Sequence, residues 1–319
     1  MKRFFILTAV LMTLAAFSAG AEDLSEFEAG DEAYAEGDYE AALEHFENAA
    51  ELGNSEAQYR IGGMYFFGDG VEQDYEKAME YYLLAAEQGH GDALYNLGLM
   101  YDLGHGVEQS YETAAEYYQK AADAGIADAQ YNLGYMYIYG EGVEQDPELG
   151  AEYYRLAADQ GHTEAQFNLG IMYFNGEGIE QDYEAAMNYF KMAGDHGHAG
   201  SLYNIGYMYG NGTGVPQSYE DALYYFEAAA DKGDAMSMHN LGVMYFQGIG
   251  TDQDVEKGIE YWEKAAEPGN ANSLYNLGLV YYYGEGVEQS NEKALEYLQK
   301  ASDAGNEAAM AAMVEFGLI

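Results

Sequence analysis

The chain has 319 residues, no cysteine, and 56 acidic against 12 basic residues, a formal charge of -44. So large a negative charge repels nucleic acid and anionic lipid, and favours basic proteins, divalent cations or simple solubility. Without cysteine no disulfide can form, so stability must come from packing alone.

Residues 1–21 read as a secretory leader. Lys2 and Arg3 give a positive start, Phe4 to Phe17 is an apolar run too short for an ordinary membrane span, and Ala19-Gly20-Ala21 is a small-residue cleavage site. Export to the periplasm or the outside is expected, with Glu22 as the mature start. No later stretch is apolar enough to span a bilayer, so no membrane insertion is expected after cleavage.

Residues 22–53 form a divergent first unit. Gly30, Gly37-Asp38-Tyr39, Ala42, Phe46 and Ala49 sit at the offsets of a tetratricopeptide repeat. Glu28, Asp31, Glu32 and Glu36 suit an end unit that faces water.

From 54 to 305 the sequence repeats every 36 residues without insertion or deletion. The seven units are 54–89, 90–125, 126–161, 162–197, 198–233, 234–269 and 270–305. A fixed period of this length marks a solenoid in which one helix pair stacks on the next. In helix A, the positions of Ala93, Leu97, Met100 and Tyr101 fall on one stripe, the pattern of a buried face. Gly98 stands mid-helix at a cost of about 1 kcal/mol against alanine. Its recurrence in every unit implies a close approach by a neighbouring helix.

A loop follows as Gly104-x-Gly106-Val107-x-Gln109, with glycines for positive φ and Val107 tucked beneath the turn. Helix B starts at Asp74, Ser110, Asp146, Asp182, Ser218, Asp254 or Ser290, all good N-caps, and Pro147 suits the first helical position. The column Tyr81, Tyr117, Tyr153, Tyr189, Tyr225, Tyr261, Tyr297 is expected to fill the space between units. Gly89 and its equivalents close helix B. Residues 306–319 supply a capping helix, Ala308 to Phe316.

These columns, above all Tyr-Asn-Leu-Gly-x-Met-Tyr followed by Gly-x-Gly-Val, strongly resemble the SEL-like repeat (SLR) family over residues 54–305. The resemblance implies an all-α, right-handed solenoid of antiparallel helix pairs, with the A helices lining a concave face. It also implies an adaptor scaffold; exported bacterial members regulate signalling, envelope assembly or host contact. One subgroup, stapled by disulfides, has been described as β-lactamase-like. This chain has no cysteine and departs from that subgroup.

The motifs for chemistry are weak. Ser290-Asn291-Glu292-Lys293 is formally an S-x-x-K, but Ser290 occupies the N-cap column and no S-D-N or K-T-G follows. His90, His162 and His198 recur at one turn position, 36 or 72 residues apart. Successive solenoid turns lie roughly 10 Å apart, too far for shared zinc ligation at about 2 Å. His196 and His198 are the one close pair, and the loop carboxylates Asp69, Glu72 and Asp74 lack the alternating spacing of a calcium loop. No metal site, cofactor or catalytic residue is expected.

The asparagine column carries more information. Asn96, Asn132, Asn168, Asn204, Asn240 and Asn276 precede the Leu/Ile-Gly pair, with Arg60 in the first unit. Asparagine is a mediocre helix former, so its repeated use points to a job. Its amide can clamp the backbone of an extended peptide, or it can bond within the solenoid. Beside it, one column varies as Phe66, Asp102, Ile138, Phe174, Gly210, Phe246, Tyr282, and the next as Phe67, Leu103, Tyr139, Asn175, Asn211, Gln247, Tyr283. Phe66, Ile138, Phe174, Phe246 and Tyr282 are candidate contact anchors, or they pack the loop above them. Tyr135, Ile138 and Tyr139 are places where one unit can differ from the next in what it touches.

The reading that follows is a non-catalytic exported scaffold. Its inner face around Asn132, Asn168 and Asn204 takes an extended protein or peptide partner, basic in character. A cell-wall hydrolase or β-lactamase-like enzyme is the alternative from another class. A glycan-binding module exploiting the tyrosines is the third.

Overall fold

The structure, a computed structural model, describes residues 23–319. The expected leader and the mature start at Glu22 lie outside the described residues. Among the described residues there are 17 helices and no strand, which matches the all-α expectation. The chain divides into two compact bodies. In the first, which runs to His162, α1 (23–36) pairs with α2 (Tyr39–Glu51). There α3 (Ser55–Phe67) pairs with α4 (Tyr75–Glu87), α5 (Gly91–Leu103) with α6 (Tyr111–Asp123), and α7 (Ala127–Tyr139) with α8 (Pro147–Asp159).

The second body, Thr163–Ile319, holds α9 (Thr163–Asn175) with α10 (Tyr183–Asp195), and α11 (Ala199–Asn211) with α12 (Tyr219–Ala230). It continues with α13 (Ala235–Gln247) and α14 (Val255–Ala266), then α15 (Ala271–Tyr283) and α16 (Asn291–Asp303). The single α17 (Glu307–Glu315) follows. Each body is a run of stacked helix pairs built from the 36-residue repeat, the architecture of an α-solenoid.

The local chemistry starts the B helices as the sequence leads one to expect. Asp74 accepts the Lys77 N–H and Ser110 the Thr113 N–H, which satisfies orphan donors at the head of helix B. Pro147 stands at the start of α8. At the other end Gly89, at φ 83, lets the His90 N–H reach back to the Ala85 carbonyl. The A helices end on a left-handed glycine, such as Gly68 at φ 81. The loop beyond is then clamped by its glutamine. Gln109 donates to the Asp102 carbonyl at 2.6 Å, and Gln145 donates to the Ile138 carbonyl at 2.8 Å.

The mid-helix glycines are explained by rings. A Cβ on Gly62 would stand 2.6 Å from the Tyr82 ring, and one on Gly170 would stand 2.7 Å from the Phe190 ring. The aromatic column Tyr82, Tyr118, Tyr154, Phe190, Phe226, Trp262 is the buried one, and sequence reasoning did not single it out. The Tyr81 column is half-buried. Tyr81 packs against a core cluster shared by two units, with Ala42, Phe46 and Ala49 from the preceding one and Ala57, Ile61 and Met64 from its own. It also stacks on Tyr65 of its own unit, with centroids 6.0 Å apart.

Candidate functional site

The asparagines of the A helices are half-buried, and the amides of three of them face tyrosines of the unit before. In the first body the Asn96 amide lies near the hydroxyls of Tyr59 and the buried Tyr82, and the Asn132 amide near those of Tyr95 and Tyr118. Burial raises the pKa of all four phenols, and these amides partly counter it by stabilising the phenolate. In the second body the Asn240 amide lies near the Tyr203 hydroxyl. Where Phe167 replaces the tyrosine, Asn204 instead donates to the Gly200 carbonyl of its own helix, at 2.7 Å. Where His239 replaces it, the ring bonds Ser273 at 2.9 Å, and burial lowers the histidine pKa. The remaining members, Asn168 and Asn276, are half-buried like the rest. Arg60 reaches Glu56 at 3.3 Å and Asp31 at 3.5 Å.

The first variable column lies under the loops. Phe66 meets the Tyr75 and His105 rings, Ile138 fills the space over Gly150, and Phe174 meets Tyr183. Phe246 packs on Trp262 at 4.9 Å and Tyr282 stacks on Phe316 at 3.8 Å. All five are half-buried. The neighbouring column is the one that meets solvent. Phe67, Leu103 and Tyr139 of the first body are among its most exposed large side chains, as is Tyr283 of the second.

An open groove of about 350 Å³ lies along α11 and α13 in the second body. Tyr203, Tyr207, Tyr219, Asn240, Val243 and Ile249 line it. A half-buried amide among aromatic and aliphatic side chains offers hydrogen bonding within an apolar channel, the composition of a typical recognition site.

The residues with nominal catalytic patterns have structural partners. Ser290 caps α16 by accepting the Lys293 N–H at 3.3 Å, while the Lys293 ammonium stands over the Tyr281 ring. His90 caps α5 through Nδ1, so its proton sits on Nε2, which donates to Glu56 at 2.9 Å. The ring stacks on Tyr59 at 4.8 Å. His162 stands likewise by Asp128 at 3.2 Å and stacks on Tyr131, while His198 lies 3.6 Å from Glu164 with its ring tilted on Phe167. The spacing of 34 residues between acid and histidine was a signal open to sequence reading. Among the described residues no group of three or more histidine, aspartate or glutamate side chains could hold a metal ion, and no helix is long and apolar enough to cross a membrane.

The Sel1 repeat family model matches residues 18–54, 55–90, 91–126, 127–162, 163–198, 199–234, 235–270 and 271–306. Among solved structures, the chain is similar to a protective antigen present in uropathogenic Escherichia coli strains that displays an SLR fold. The two share 36% identity with a TM-score of 0.80, over 84% of this chain and 57% of the antigen. The chain therefore spans little more than half of that protein's length. It is also similar to a Sel1 repeat protein from Oxalobacter formigenes, at 30% identity and a TM-score of 0.72, over 96% of this chain and 91% of the other. Comparison with curated proteins gives no match.

Proposed function

The chain belongs to the Sel1 repeat family, and from that premise we propose that it is an exported, non-catalytic scaffold that holds an extended segment of a protein partner. Sel1 repeats are commonly protein–protein interaction scaffolds. Export is supported by the basic, apolar and small-residue succession of residues 1–21. The observation that carries the binding reading is the groove along α11 and α13, where Asn240 stands among Tyr203, Tyr207 and Val243. The asparagine carbonyl oxygen is an acceptor for a peptide N–H, and the amide nitrogen a donor to a peptide carbonyl. Tyr207, 42% exposed, offers a ring against which a partner side chain can pack.

In-cell cross-linking with identification of the captured protein tests the reading. The Asn240→Ala/Tyr207→Ala variant should lose the cross-link while retaining helical content. Cross-linking equal to that of the unmodified chain would overturn the groove as the binding surface.

A further inference from the structure

Lysine and tyrosine are paired systematically in this protein. Lys77 stands over the Tyr65 ring at 4.8 Å, Lys257 over Tyr245 at 3.8 Å, and Lys293 over Tyr281 at 4.6 Å. Lys120, Lys264 and Lys300 cover tyrosines of their own helices in the same way. All six lysines lie on B helices. The A helices carry no lysine at all, and their one arginine, Arg60, is engaged by Glu56 and Asp31. The lysines cover only some of the tyrosine faces: among the described residues, the tyrosines at the last position of an A helix, Tyr139 and Tyr283, have no lysine or arginine of this chain over their rings.

One such place in the first body combines rings with carboxylates. Tyr135 and Tyr139, one turn apart on α7, have ring centroids 4.4 Å apart and are 40% and 61% exposed. Asp102, at the end of α5, is held by the Tyr118 hydroxyl at 3.0 Å. Gln109 ties this end of α5 to Tyr111 by donating to both the Asp102 carbonyl and the Tyr111 hydroxyl. Gly142 then presses its backbone on that of Tyr111, which brings the loop carrying Glu141 to the same edge. The charges of Glu141 and Asp102 are both felt at the Tyr135 hydroxyl. The equivalent positions in the unit of α11 are Tyr207 and Asn211, so the tyrosine pair is not a requirement of stacking.

We propose that Tyr135 and Tyr139, with Asp102 and Glu141, receive an arginine side chain from an extended segment of the partner. A planar guanidinium stacks on phenol faces and forks its N–H donors to a carboxylate, and it is more weakly hydrated than an ammonium. Leu103, exposed beside Asp102, gives an aliphatic neighbour on the partner segment a place to pack. The proposal rests on the A-helix side being the contact surface, and it adds the chemistry of the partner.

A fluorescein-labelled peptide of Arg-Gly-Leu repeats, titrated into the full chain at physiological salt, tests it by anisotropy. Tyr135→Ala/Tyr139→Ala keeps the charge and should weaken binding about tenfold, while Tyr135→Phe/Tyr139→Phe should stay within about twofold. Asp102→Asn/Glu141→Gln should weaken binding several-fold more than Glu116→Gln/Glu152→Gln, which removes the same charge from exposed B-helix positions. If the alanine pair binds like the unmodified chain, or the two acid pairs weaken binding equally, attraction is only to the overall negative charge and the proposal fails. The probe reads this edge whatever the natural partner is. A negative result at the Asn240 groove therefore leaves this measurement interpretable, and a negative result here leaves that one so.

Discussion

Gly98 of α5 lies against the ring of Tyr118 in α6 so closely that a Cβ there would stand 2.5 Å from Cδ1. The same relation recurs between Gly62 and Tyr82 and between Gly206 and Phe226. It turns a poor helix residue into the element that lets A and B approach.

Replacing Gly98 by alanine should therefore destabilise the protein although alanine is the better helix former. Propensity favours the substitution by about 1 kcal/mol, while forcing a methyl group into a packed ring costs about 1–3 kcal/mol. Tyr118 is fully buried and its hydroxyl is tied to Asp102, so it has little freedom to move. A fall in the thermal midpoint is the expected result. By contrast Gly125 has open space around its Cβ position, and its cost comes only from φ 92.

The asparagine–tyrosine pairs should show coupling that the Phe167 unit lacks. In a double-mutant cycle of Tyr59→Phe and Asn96→Ala, the interaction energy should be about 0.5–1.5 kcal/mol. Asn204, which donates to the Gly200 carbonyl of its own helix, should show no such coupling to Phe167. Denaturant midpoints measure both. Equal stability loss at Asn96 and Asn204 would mean that the inter-unit bond contributes little.

Alkaline pH should unfold the protein cooperatively with tyrosine ionisation. The Tyr34 hydroxyl donates to Asp69 at 2.6 Å, and that carboxylate holds its pKa up at about 12. Burial pushes Tyr82, Tyr118 and Tyr245 higher still. Because the folded-state values are raised, the stabilisation is fully present below the ordinary phenol value of about 10 and is lost as pH rises above it. Ultraviolet difference titration should show a steep late phase that coincides with loss of helical signal. Tyr34→Phe lacks the hydrogen bond to Asp69 at every pH and should start the late phase at lower pH.

Most of the frame could be read in the residues themselves. Asp74 and Ser110 as N-caps, Gly89 as a helix stop and Gly98 as a point of close approach each follow from backbone or hydrogen-bond chemistry local to one unit. What Gly98 approaches could not be read, because Tyr117 and Tyr118 are adjacent in sequence and only their direction on α6 distinguishes them. Phe66 and Phe67 present the same difficulty: the first packs on Tyr75 and His105 while the second is 70% exposed.

The sequence by itself determined the 36-residue period and the caps and turns, since each is encoded at short range and repeated in phase. Tertiary structure alone decided which of two adjacent rings is core and which is surface. It also decided that the Asn96 amide reaches back to Tyr59 across the unit boundary, and that Asp102, Tyr111 and Glu141 meet at one edge with Tyr135. Those outcomes depend on how helices 36 residues apart lean on one another. A side chain's direction is set by the neighbour it packs against, and the linear pattern does not contain that neighbour.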